Sequence, residues 1–160
     1  MSRRAKVLTV SDGVAAGVRD DRSGRALVKR LGAAGYEVVE HRVVADGVEE
    51  VATALTALCS DFAGLVVTTG GTGFGPRDLT PEGTRVALER EAPGVAEAIR
   101  RAGDADGRGF GMLSRGVAGV VGTCLVCNFP GSSNGAVEAL EVVLPVADHA
   151  LELLAGGRPH

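Results

Sequence analysis

The chain has 160 residues and a mass of 16.2 kDa, with 45% hydrophobic and 23% charged residues, which excludes intrinsic disorder and any need for disulfide staples in a domain of this size. Its formal net charge is −3, with basic residues spread along the chain, so an electrostatic nucleic-acid footprint is disfavoured and a small-molecule substrate is expected. Glycine is the outlier, at 24 residues, about twice the usual ~7%, and implies tight turns and close backbone approaches.

At the N-terminus only Val7-Leu8-Thr9-Val10 separate a basic start from Asp12. That apolar run is too short for a secretory leader, and the expected location is the cytoplasm. Residues 6–10 read as a strand ended by the turn Ser11-Asp12-Gly13. Leu27, Leu31 and Ala34 then fall at helical spacing, with Ser23 as N-cap and Gly35 as the stop. Residues 36–44 are β-rich, and Asp46 precedes a helical run through Val51, Leu55 and Leu58, with Glu49 three residues on as in a capping box. Residues 65–69 form the next strand and run into the glycine loop Gly70-Gly71-Thr72-Gly73-Phe74-Gly75-Pro76-Arg77-Asp78, after which Thr80 is the expected N-cap and Pro81 marks the first helical turn. Residues 116–121 and 124–129 are β-rich and separated by Gly122-Thr123, which predicts a hairpin and therefore one antiparallel strand. The longest uncharged stretch, 22 residues from Gly116 to Val137, holds Asn128, Pro130, Ser132, Ser133, Asn134 and five glycines, and so is not a membrane span. Pro145 is expected to divide two closing helices, 134–144 and 146–154. Alternating apolar strands and helices without repeats or a linker predict one domain over residues 1–160, an α/β sandwich with a mostly parallel sheet.

Three cysteines, Cys59, Cys124 and Cys127, fit a reducing compartment. Cys124-Leu-Val-Cys127 lies on a strand, where residues three apart point to opposite faces, and no second pair completes a ligand set. Both are expected in the core. His41, His149 and His160 form no ligand spacing either.

In parallel α/β sheets ligands bind outside the carboxyl ends of the strands. The residues there are coherent: Ser11-Asp12-Gly13 after the first strand, Asp46 after the second, the glycine loop after the third, and Asn128-Phe129-Pro130-Gly131-Ser132 after the hairpin. An antiparallel strand would begin at the same rim, bringing Ser114 and Arg115 there. Successive glycines let backbone N–H groups close on an anion, and Thr72 adds a hydroxyl. The loop lacks the Gly-Lys-Ser/Thr of a Walker A sequence, and Pro76 replaces the third glycine of a dinucleotide fingerprint. Asp46 and Asp78 are the rim carboxylates suited to a divalent cation beside phosphates. Asp46 satisfies an N-cap role equally well, whereas Asp78 lies two residues before Thr80 and has no such explanation.

The run from Thr68 to Glu82 resembles the signature of the Mog and MoaB molybdenum-cofactor proteins, and the resemblance extends to Ser11-Asp12, Asp21-Arg22-Ser23-Gly24, Leu113-Ser114-Arg115 and Asn128-Phe129-Pro130-Gly131-Ser132. It implies a three-layer α/β/α fold, a homotrimer and molybdopterin binding. Active members transfer AMP from ATP to the molybdopterin phosphate with Mg²⁺ and release pyrophosphate, and a separate or fused partner then inserts molybdate. Carried over by position, the resemblance places the acidic, Mg²⁺-supporting roles on Asp78 and Asp46. It assigns phosphate contacts to Gly70, Gly71, Thr72 and Gly73, and pterin or nucleotide contacts to Ser11, Asp12, Ser114, Asn128, Pro130, Gly131 and Ser132. Many relatives carry Pro-Lys where this chain has Ser133-Asn134, so a positive charge is missing there, and Arg77 and Arg115 are the candidates to replace it. A non-catalytic pterin carrier or scaffold of the same fold is the alternative, since fold does not fix function.

Overall fold

A computed structural model describes residues 3–158; His160 lies outside them. Six strands, β1 (Arg4–Val10), β2 (Glu37–Val44), β3 (Ala63–Thr69), β4 (Arg90–Glu91), β5 (Ala118–Val121) and β6 (Thr123–Phe129), form one sheet in the order β2-β1-β3-β6-β5-β4. The β1–β2, β1–β3 and β3–β6 pairs are parallel, and β5 runs antiparallel to both neighbours. It is the single reversed strand that the hairpin implied. Its turn pairs Val121 with Cys124, and Gly122 takes a φ of +57°, a left-handed conformation that glycine adopts without steric cost.

The helices are α1 (Asp12–Ala15), α2 (Arg22–Ala33), α3 (Val48–Cys59), α4 (Thr80–Ala87), α5 (Pro93–Ala102) and α6 (Ser133–Leu154), with a 3₁₀ turn over Phe110–Leu113. Strand alternation sends Val7, Leu65, Val67, Leu125, Cys127 and Phe129 to one face, where Leu27 and Leu31 of α2, Ile99 of α5 and Leu140 of α6 cover them. Leu8, Val10, Val66, Cys124 and Val126 face the other side, against Val51, Leu55 and Leu58 of α3, with Ala87 of α4 at the margin. The result is a three-layer α/β/α sandwich with two cores. Cys124 and Cys127 fall in different cores, both buried, as a three-residue step along a strand requires.

Three caps and one break differ from expectation. The N-cap of α2 is Asp21, whose side chain accepts from the Gly24 N–H, while Ser23 is buried within the first turn. Gly47, not Asp46, caps α3, because the Asp46 carboxylate is turned away to accept from the Asp12 N–H at 2.9 Å. Leu79 precedes α4, and Thr80, already helical, donates its hydroxyl to the Gly70 carbonyl at 2.9 Å. The closing segment is one helix rather than two. Pro145 lies inside α6, whose buried residues run from Ala136 to Leu151 on both sides of it, so sheet packing carries the helix past the missing donor. Residues 90–113, unassigned from the sequence, supply β4, α5 and the 3₁₀ turn. No helix among the described residues is long and apolar enough to cross a membrane.

Candidate functional site

The carboxyl ends of β1, β2, β3 and β6 and the start of β5 meet at one rim. The segments after them enclose two adjoining clefts, one of about 620 Å³ and one of about 510 Å³, with Ser132 lining both. The larger is bordered by Ser11, Asp46, Gly70, Gly71, Asp78, Gly131 and Ser132. Thr72, Gly73, Ser114 and Pro130 line the smaller, together with Phe110, Leu113, Arg100 and Arg108. The rim thus brings together most of the residues singled out from the sequence, divided between two spaces.

The glycine loop is shaped by close approaches. Gly70 (φ +100°) lies against the Val10 carbonyl, and a Cβ on Gly71 (φ +67°) would collide with the Thr80 hydroxyl and come 3.0 Å from Asp46 Oδ1. Both positions require glycine. The loop is tied from behind by Arg115, whose N–H donates to the Thr72 carbonyl at 2.8 Å and whose guanidinium donates to the carbonyls of Gly73 (2.9 Å) and Asp78 (2.5 Å). The same guanidinium pairs with Glu82 at 2.6 Å, and this bond holds the Glu82 carboxyl below its ordinary range. Arg115 is therefore a brace of the loop.

Asn128 is also behind the site. It is 1% exposed, its amide donates to Thr68 Oγ1 and Thr84 Oγ1, both at 3.0 Å, and its carbonyl accepts from the Val117 N–H. Every polar atom of the side chain is satisfied internally. Ser11, Ser114 and Ser132 stand at the rim with hydroxyls that accept from the N–H groups of Val14, Gly116 and Gly135.

The carboxylates form a linked set. Asp12 and Asp46 clasp reciprocally: the Asp12 N–H donates to Asp46 Oδ2 at 2.9 Å, and the Asp46 N–H donates to Asp12 Oδ1 at 3.1 Å. Arg77 grips Asp12 with two N–H groups, at 3.0 and 3.1 Å, and donates a third bond to the Asp46 carbonyl. That grip lowers the Asp12 pKa. Asp46 shifts upward, first because burial disfavours its charge and further because the charges of Asp12 and Asp78 face it. Asp78 accepts from the Gly75 N–H at 2.8 Å through Oδ2.

Asp46 and Asp78 thus each engage one oxygen in a backbone bond, and both line the larger cleft, Asp46 beside Gly71 and Asp78 beside Gly73 and Gly75. Such a pair suits a hard divalent cation that takes its remaining oxygens from substrate phosphates. Among the described residues no cluster of three or more His, Cys, Asp or Glu could hold a metal without that help.

One constellation has no local sequence signal. Thr9, next to the carboxyl end of β1, donates to Asp21 Oδ2 at 2.8 Å, and His41 Nε2 of β2 lies 2.8 Å from the same oxygen and 3.0 Å from the hydroxyl. A Cβ on Gly24 would come within 2.5 Å of both Asp21 Oδ2 and His41 Nε2, so this glycine, inside the Asp21-Arg22-Ser23-Gly24 motif, makes the cluster possible. Thr9 and Asp21 belong to the wall of the larger cleft. Thr9 lies 12 positions from Asp21 and 32 from His41, distances over which no spacing rule acts.

Residues 6–149 match the family described as "Probable molybdopterin binding domain". The chain is 39% identical over 153 residues to the molybdenum cofactor biosynthesis bifunctional protein of Chlorobaculum tepidum, covering 96% of this chain and 49% of that protein. It is 34% identical over 153 residues to the molybdopterin adenylyltransferase of Helicobacter pylori strain J99, covering 94% and 86%. The crystal structure of the molybdopterin biosynthesis enzyme MoaB from Thermus thermophilus superposes with a TM-score of 0.87 at 44% identity, over 96% of this chain and 97% of that one. The chain spans about half the length, or less, of several curated relatives it matches. With the sheet order, the glycine loop and the paired rim carboxylates already in place, these likenesses across nearly the whole chain make it a member of the Mog/MoaB family of molybdopterin-binding and biosynthesis proteins.

Proposed function

We propose that this chain binds molybdopterin and ATP at the rim and transfers AMP to the molybdopterin phosphate. The observation that carries the reading is the placement of Asp46 against Gly71 and of Asp78 against Gly73 and Gly75 of the glycine loop, both lining one cleft of about 620 Å³. In the reaction an oxygen of the pterin phosphate attacks the α-phosphorus of ATP, a new P–O–P anhydride forms, the α–β bond breaks, and pyrophosphate leaves with the electron pair. Such a transfer depends on positioning and charge neutralisation more than on a covalent nucleophile; the glycine amides and hydroxyls of the rim supply the first, and its carboxylates supply ligands for a cation that would supply the second. Mg²⁺, held by Asp46, Asp78 and the phosphates, would neutralise the developing charge. The loop amides would fix the phosphates, and Arg77 would keep Asp12 and Asp46 in register.

The alternative is a pterin carrier of the same fold, which the family's description as a binding domain favours. Relatives in which such a domain is part of a bifunctional protein support hand-off of the product to a molybdate-inserting partner. Asp78→Asn separates the readings. Asparagine keeps an oxygen for the Gly75 N–H, so fold and pterin binding should persist while AMP transfer, followed as adenylylated pterin, falls by about 10² or more. A parent protein that binds pterin but never adenylylates it would establish the carrier.

A further inference from the structure

The larger cleft has a third wall, the run Arg19-Asp20-Asp21-Arg22 between α1 and the start of α2, which brings two guanidinium groups and two carboxylates to it. Arg19 and Arg22 both line the cleft, and among the described residues neither has an ion-pair or hydrogen-bonded side-chain partner. The two acids between them line the same cleft but already have partners within the fold. Asp20 lies 3.6 Å from Arg25, and Asp21 is held by the Gly24 N–H, Thr9 and His41. Arg19 is placed by its surroundings: its N–H donates to the Gly13 carbonyl at 3.2 Å, and its stem lies along Gly13, where a Cβ would come 3.3 Å from Arg19 Cβ.

Fold stability does not explain these charges. Arg22 opens α2, and the first turn of that helix contains no acid, which is the unfavourable sign for a helix N-terminus. Arg77 and Arg115, the sequence-based candidates for the charge missing at Ser133-Asn134, are committed to Asp12 and Glu82. A polyanion in the cleft would meet Asp46 and Asp78 on one side and two uncommitted guanidinium groups on another.

We infer that Arg19 and Arg22 are the polyphosphate-binding residues of this cleft, receiving the part of a nucleoside triphosphate that departs as pyrophosphate. The inference rests on the proposed adenylyl transfer for the identity of the substrate, but the anion site it defines can be tested without turnover. Guanidinium groups suit this task because they bind phosphate oxygens through paired, charge-assisted N–H bonds.

The test is calorimetric titration of the full chain with magnesium pyrophosphate at low and moderate salt, for the parent, Arg19→Gln, Arg22→Gln, the double variant and, as a control, Arg101→Gln. Each single change should weaken binding about tenfold, with the double variant weaker still and with a shallower salt dependence. Arg101→Gln should match the parent, because Arg101 pairs with Glu97 on α5 and neither residue lines the cleft. Melting temperatures should hold or rise slightly, given the unfavourable place of Arg22. Parental affinity in the double variant overturns the inference, as does equal weakening by Arg101→Gln, which would report only general surface charge. Pyrophosphate binding that depends on Arg19 and Arg22 in a protein that never adenylylates pterin would sustain the anion site and refute the transfer reaction.

Discussion

Asp46 holds its charge at some cost to the fold. Partial burial and the facing charges of Asp12 and Asp78 raise its pKa, so the folded state binds a proton more readily than the unfolded chain does. This contribution therefore favours folding below the ordinary carboxylate range and is lost as pH rises through the raised value. Asp46→Asn should melt above the parent at pH 7, with the difference shrinking toward pH 4. The gain should stay within about 1 kcal/mol because solvent screens a partly exposed group. Gly47 caps α3, and asparagine can still accept from the Asp12 N–H, so the helix start is preserved. AMP transfer in the same variant should fall sharply. A melting curve below the parent's at neutral pH would show that the carboxylate stabilises the clasp instead.

At the scale of elements, Pro145 is the most informative position. A helix of 22 residues crosses it without ending, so the packing of Ala139, Leu140 and Val143 before it and Ala147 and Leu151 after it outweighs a penalty of about 3 kcal/mol. Pro145→Ala should raise stability by about 1–3 kcal/mol, read as a higher denaturant midpoint with an unchanged slope. A loss would mean that the proline fixes a backbone conformation of α6 that its packing requires. The same position marks the limit of local reading. Strand alternation and the hairpin at Gly122-Thr123 are legible in the sequence because periodicity and turn chemistry act over a few residues. The fate of Pro145 depends on contacts with distant strands. The caps depart from expectation for a related reason: Asp46 and Thr80 are suitable cap residues by type, but the Asp12 N–H and the Gly70 carbonyl compete for their side chains. The rim itself is legible from the polar residues at the end of each strand, yet no local pattern places Asn128 and Arg115 behind the surface or joins Thr9, Asp21 and His41.

The whole molecule leaves apolar side chains in water. Phe74, Val86, Phe110 and Met112 are all exposed, from 58% to 74%, and two of them lie in the 3₁₀ segment beside the smaller cleft. Single exposed apolar residues are ordinary, so they do not identify a partner. The family resemblance implies a trimer, and sedimentation should give a particle about three times the 16.2 kDa chain mass. A monomer at micromolar concentration would contradict it.

Ser132 belongs to both clefts, and this has a kinetic consequence for a reaction that joins two ligands across the rim. Each substrate has one set of contacts to break on leaving, whereas a conjugate seated in both spaces has two, and when one half lifts away the other keeps it near its vacated seat. The product should therefore dwell longer than either reactant. In the proposed transfer, a downstream acceptor that captures the half-detached conjugate would then speed product release without altering the chemical step.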